Sequence, residues 1–161
     1  MRREHIKDGW WEMPGAPDPA SKWPGTKNGE SHRVWLSAPA RELLTALEND
    51  GDTGLVFGVV TRLDSAMREI CTTLGVKDKV TPHDLRRTNG TIITRLGFGR
   101  DAMNRVQNHK EGGIASVYDR HEYADENKRV MEAVAAHIMQ LATGKDADDK
   151  VIPLRASGKT P

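Results

Sequence analysis

Short aromatic and β-branched clusters open the chain. Gly9-Trp10-Trp11-Glu12-Met13 and Arg33-Val34-Trp35-Leu36 predict two strands. The connection between them, PGAPDPASKWPGTKNGESH, is dense in Pro, Gly, Asn and Ser and predicts a long turn-rich loop. The pair reads as a small β-ribbon with an elaborate connection. The period then becomes helical. Pro39 opens a helix that holds Leu43, Leu44 and Leu47. Leu63, Met67, Ile70, Cys71 and Leu74 recur at i, i+4, i+7, i+8 and i+11, which sets all five on one helical face, and Gly75 supplies the stop. On that face Cys71 is expected to be a buried filler.

Thr81-Pro82-His83-Asp84 is a strong helix start: Thr81 caps, Pro82 suits the first turn, and Asp84 reaches back. Leu85, Ile92, Ile93 and Leu96 then predict the core face, and Gly97 and Gly99 the end. A short helix is expected from Arg100 to Asn108, burying Met103 and Val106. Gly112-Gly113 breaks the chain, and Ile114 to Tyr118 predicts one or two turns. The last helix, 121–142, carries a stripe of Val130, Met131, Val134, Ala135, Ile138 and Leu141. From Gly144 to Pro161 the chain is polar and predicts a disordered tail. The class is mainly α, an α+β arrangement with a small antiparallel ribbon near the N-terminus.

Composition narrows the picture. The 161 residues are 37% hydrophobic and 29% charged, enough apolar material for one core. No apolar run approaches the ~20 residues of a membrane span. No signal-peptide h-region follows the first residues. A single cysteine excludes an internal disulfide and fits a reducing, cytoplasmic setting. The net charge of +1 predicts no nucleic-acid partner by itself. Its distribution is more informative. Residues 81–110 carry a net +4 and residues 119–150 a net −3. The six histidines form no His-x₃-His pair and have no companion cysteine set, so no zinc site is expected. Trp10, Trp11, Trp23 and Trp35 cluster about the ribbon and are expected to pack there.

His83 and Arg86 stand at i, i+3 in the first turns of a helix, where the dipole and free N–H groups favour an anion. Arg87 has Asp84 three residues before it as a surface partner. His83-Asp84-Leu85-Arg86-Arg87-Thr88 resembles the His-x-Leu-Arg box of the tyrosine recombinases, the phage integrase family. Asn108-His109-Lys110 resembles that family's second His box, 23 residues after Arg86, and Tyr118 follows His109 by nine. Gly25-Thr26-Lys27-Asn28-Gly29 and His32-Arg33-Val34 resemble the hairpin that carries the family's lysine. The resemblance spans residues 1–142 and looks closest to the integrases of prophages and genomic islands.

The resemblance implies a helical DNA breaking-rejoining domain over 1–143, with 144–161 as tail. It implies site-specific recombination or integration by transesterification through a 3′-phosphotyrosine, with no metal or other cofactor required. Tyr118 is the implied nucleophile; Tyr123, five residues on, is its rival. His83 would take up the phenolic proton. Arg86 would hold non-bridging oxygens bidentately, His109 would donate to one, and Lys27, on a mobile loop at the ribbon, would protonate the leaving oxygen. Arg87 and Lys110 are candidate DNA phosphate contacts. The implied partners are double-stranded DNA attachment sites and further copies of the chain, a tetramer on DNA with helix 121–142 as a packing element. The implied setting is bacterial or phage-encoded and nucleoid-associated, with no membrane. The family's pattern has a further arginine in a Thr-Gly-x-Arg box, which would fall upstream of Met1; Arg2 and Arg3 are weak substitutes by position. The expectation is therefore a catalytic domain truncated on its N-terminal side, with weak cleavage or none by itself. The alternative is a catalytically incomplete remnant that acts only as a DNA- or partner-binding module. A type IB topoisomerase-like relaxing enzyme and a metal-dependent nuclease are the remaining readings.

Overall fold

A computed structural model describes residues 1–47, 54–58, 62–109 and 123–144. Among these residues the architecture is mixed α/β: one small antiparallel sheet and five α-helices. The sheet has three strands, β1 (Ile6–Lys7), β2 (Trp10–Met13) and β3 (His32–Trp35), in that order. The two expected strands are β2 and β3, paired from Trp10↔Trp35 to Met13↔His32. The first strand was not expected. Its signal is Asp8-Gly9, where both residues take positive φ (49° and 81°) and close a two-residue hairpin with right-handed twist.

The helices are α1 (Ala38–Ala46), α2 (Leu63–Thr73), α3 (Pro82–Arg95), α4 (Gly99–Val106) and α5 (Ala124–Thr143). Gly75, at φ +66°, stops the chain after α2, and Gly97, at φ +85°, does so after α3. The expected end of α4 at Asn108 is corrected to Val106, because Asn108 itself turns left-handed at φ +53°.

Ile92, Ile93, Ala102, Val106, Val130 and Val134 form the core where α3, α4 and α5 meet. Leu96, Phe98, Met103 and Met131 pack around it. Ile93 and Val130 are fully buried, each contributing about 1.5–3 kcal/mol of apolar burial. The sheet joins this core through Trp35, whose Nε1 donates to Glu132 on α5 at 2.7 Å. Trp10 meets Trp35 edge-on at 5.2 Å, and Trp23 stands edge-on to His5 at 5.1 Å.

Three core expectations are corrected. Leu85 is 55% exposed, because α4 and α5 cover only the later half of α3. On α2, Met67 alone is buried; Leu63, Ile70 and Leu74 are exposed, and Cys71 is half-buried. On α5, Val130 and Val134 are buried while Ile138 and Leu141 are exposed. The expected turns at 114–118 and the tail from residue 145 lie outside the described residues. No helix among the described residues is long and apolar enough to cross a membrane.

Candidate active site

The site starts from the cap of α3. Thr81 takes extended φ/ψ, and its hydroxyl oxygen accepts from the Asp84 N–H at 3.4 Å. The Asp84 carboxylate accepts from the Thr81 N–H at 3.0 Å, which completes a capping box. The Thr81 hydroxyl also donates to the carboxylate at 2.6 Å; that bond first and the Thr81 N–H second, with smaller help from Arg87 and His83, hold the Asp84 carboxyl below its ordinary pKa. With Pro82 in the first turn, the cap fixes where His83 and Arg86 emerge. Both are exposed. Arg87 pairs with Asp84 at 3.5 Å in full view of solvent, so that contact contributes little.

Arg86 is oriented from across the helix pair. Its Nη2 donates to the Gln107 carbonyl, and the Gln107 side chain donates back to the Arg86 carbonyl at 2.8 Å. A guanidinium has five N–H donors, so this bond aims the group without exhausting it. Gln107 is buried. It comes this close because α3 has Gly90 at the crossing: a Cβ there would stand 3.0 Å from Gln107 Nε2 and 3.0 Å from Met103 Sδ.

The end of α4 then sets His109. Asn108 adopts the left-handed conformation, its N–H bonds the Arg105 carbonyl at 3.2 Å, and the His109 N–H bonds the Asn104 carbonyl at 2.9 Å. This is a Schellman stop with asparagine in the usual glycine place. It leaves His109 exposed just past the helix end.

Lys27 lies in the loop between β2 and β3. It occupies a turn closed by the Gly29 N–H on the Thr26 carbonyl at 3.1 Å. The Thr26 hydroxyl donates to the Glu30 carbonyl at 2.7 Å, and Asn28 Oδ1 accepts from the Glu30 N–H at 3.2 Å. Gly15 and Gly25 bring the two limbs of the loop together: a Cβ on Gly15 would stand 2.3 Å from the Gly29 carbonyl oxygen, and one on Gly25 2.5 Å from that of Gly15. The Thr26 N–H bonds the Gly15 carbonyl at 3.1 Å, and Trp23 Nε1 donates to the Pro14 carbonyl at 2.8 Å. Lys27 itself is exposed. Its neighbour Asn28 donates to Asn108 Oδ1 at 3.1 Å. His32, at the start of β3, places Nε2 3.1 Å from the Val106 carbonyl oxygen.

Residues far apart in sequence therefore meet at the end of α4. Asn28, beside Lys27, bonds Asn108, beside His109; Arg86 bonds Gln107. His83 lies one turn before Arg86 on α3. Tyr118 and Lys110 lie outside the described residues. Tyr123 has the Arg105 guanidinium 4.0 Å above its ring, and Arg105 pairs with Glu126 at 3.0 Å, so α4 and the start of α5 are clamped together. Arg2 and Arg3 are engaged elsewhere: Arg2 donates to the Ser21 carbonyl, with its Nε at 3.1 Å, and Arg3 to the Leu47 carbonyl at 3.3 Å. Of the linking residues, Gln107 carries no signal in the sequence; His32 and Asn108 fall inside the hairpin and second-His-box resemblances, which assign neither a role, and Asn108 also stands at the expected helix end.

The assembly offers a guanidinium, two imidazoles and an ammonium on elements that are bonded to one another, a donor set suited to the oxygens of a phosphate. Among the described residues no group of three or more His, Cys, Asp or Glu side chains is arranged to hold a metal. Compared with family models, curated proteins and solved structures, the chain matches none.

Proposed function

We propose that the chain carries the strand-transfer chemistry of a tyrosine site-specific recombinase, acting on double-stranded DNA as an oligomer, a tetramer at the recombining sites. The observation that carries this reading is the pair of ties at the end of α4: Asn28 to Asn108 across 80 residues, and Arg86 to Gln107 across 21. They hold together the neighbourhoods of Lys27, Arg86 and His109, which the motif resemblance had grouped from sequence alone.

In the proposed reaction the Tyr118 oxygen attacks phosphorus and the bond to the 5′ oxygen breaks. The phenolic proton passes to His83, and Lys27 returns a proton to the leaving oxygen. Arg86 and His109 donate to the non-bridging oxygens, where charge builds in the transition state. The phosphoester bond is exchanged for another, so no nucleotide is consumed. A phenol with a pKa near ~10 is a weak nucleophile at neutral pH, which is why proton transfer and clustered donors are needed. Each preorganised donor is worth about 10²–10³ in rate.

The test is covalent capture on a pool of nicked duplexes with a randomised core. It uses the 161-residue chain and a version extended at its N-terminus by a helix that carries a Thr-Gly-x-Arg box. A protein–DNA band on a denaturing gel, insensitive to EDTA and lost in Tyr118→Phe, is expected from the extended protein, and weakly or not at all from the shorter one. Arg86→Ala should weaken it by about 100-fold or more. No covalent band from either protein, with retained affinity for duplex DNA, would favour the binding-module reading. Strand cleavage that disappears with EDTA and leaves no covalent band would favour a metal-dependent nuclease.

A further inference from the structure

Val106, Gln107 and Asn108 are consecutive, and each is gripped from a different place. His32 Nε2 meets the Val106 carbonyl at 3.1 Å, Arg86 and Gln107 exchange hydrogen bonds, and Asn28 bonds Asn108 at 3.1 Å. The next residue is His109. Two of the three grips come from the ribbon, at Asn28 and His32, and one from α3. A carbonyl oxygen only accepts, so His32 Nε2 carries the hydrogen and donates. The next residue, Arg33, has its guanidinium 4.6 Å from the ring of Trp10. The groups around the imidazole are these: Arg86 acts on it from α3, the β2 partner in register is Met13, and α4 offers the Val106 carbonyl.

We propose that His32 is a positioning residue for this site: through the Val106 carbonyl it holds the Lys27 turn and Arg86 on one three-residue segment ahead of His109. The inference deepens the recombinase reading and rests on it for the roles of Lys27, Arg86 and His109. The geometry of the three grips stands without it.

The environment favours the neutral ring. Burial is the largest effect and lowers the His32 pKa; the Val106 carbonyl opposes it; the Arg86 cation adds to the lowering. The net direction is down from 6.5. An unfolded chain then binds the proton more readily than the folded one. The stability this group contributes is fully present above pH 6.5, and it is lost as pH falls through the lower folded value. The same protonation sets a second cation beside Arg86, so acid loosens the ribbon's grip on α4.

The experiment is an NMR titration of the whole chain from pH 8 to 5, without DNA. It follows the His32 ring and the Lys27, Asn28, Gln107 and Asn108 amides. The amides are expected to move with the His32 midpoint, below 6.5. His32→Gln keeps an amide donor and has no proton to gain. In that variant the amides should show no transition at the native His32 midpoint between pH 8 and 5. His32→Ala should displace them at every pH. The proposal is overturned if Asn28 and Asn108 stay still while His32 titrates. It is equally overturned if they still move with the native midpoint in His32→Gln. Because no cleavage is scored, a failed covalent-capture test and a failed titration are separate results.

Discussion

Gly90 gives a sharp test of how closely α3 and α4 approach. Its backbone is helical and does not need glycine for its φ. Replacing it with alanine should therefore stabilise α3 by about 0.8–1 kcal/mol on helix propensity alone. Against this, the new Cβ would lie 3.0 Å from Gln107 Nε2, 3.0 Å from Met103 Sδ and 3.3 Å from Met103 Cγ. Comfortable separations are roughly 3.5–4.0 Å. Met103 is flexible and half-buried, and it gives way. The Gln107 amide is fixed by its 2.8 Å bond to the Arg86 carbonyl, and stretching that bond forfeits up to about 1 kcal/mol. The two effects nearly cancel, and Gly90→Ala should fall within about 1 kcal/mol of the native chain. Gly90→Val adds two methyls beyond the alanine Cβ at a closed crossing. Overpacking of that kind costs about 1–3 kcal/mol, and valine recovers less propensity than alanine. Its net cost should be about 2 kcal/mol. Urea unfolding reads both variants: at a slope of about 1–3 kcal/mol/M, valine should lower the midpoint by about 1 M with the slope unchanged. If Gly90→Val unfolds at the same urea concentration as Gly90→Ala, the crossing has room to spare and the reasoning fails.

Ile93→Ala should cost about 2–5 kcal/mol, since the side chain is fully buried among α3, α4 and α5; a smaller loss by chemical denaturation would mean that the core collapses into the cavity. Thr81→Ala removes half of the capping box and should cost about 0.5–2 kcal/mol, visible as a lower thermal midpoint. Asp84 titrates below its ordinary value, so its contribution is present above pH 3.8 and disappears as pH falls through the native value; Asp84→Asn should flatten that part of a stability profile taken from pH 5 to 2. Arg105→Gln takes the cation from above Tyr123 and from Glu126; fluorescence of the two tyrosines and amide exchange at the start of α5 should report the loosened clamp, and an unchanged exchange rate would contradict it.

The element pattern was legible because local chemistry and tertiary structure agree. Thr81 to Asp84 is a cap in sequence and in structure, and the Ile92–Ile93 pair buries as its period requires. Where the pattern misled, the partner surface was the missing knowledge. The α2 stripe is as periodic as that of α3, yet Ile70 is 50% and Leu74 71% exposed, and amphipathicity does not say which neighbour is within reach. β1 was missed because two residues carry no period, although Asp8-Gly9 announced the turn. The linkage of the candidate site was hidden for another reason. Hydrogen bonds such as Asn28–Asn108 and Arg86–Gln107 join ordinary polar residues across long separations, and no spacing rule marks them.

The connection between β2 and β3 has a consequence for the timing of its entropy loss. Its eighteen residues, from Pro14 to Ser31, are tied to one another by the Asp18–Trp23 bridge, the Trp23 indole and the apposed backbones of Gly15 and Gly25. Ordering a free segment costs about 1–2 kcal/mol per residue, and here that ordering accompanies folding. On the proposed reading, a phosphate meeting Lys27 would encounter the tip of an arm braced by these contacts, in place of the mobile loop expected from sequence. What remains to be organised on arrival is one four-carbon side chain, so recognition through this turn should carry a small entropic penalty and a correspondingly weak dependence on temperature.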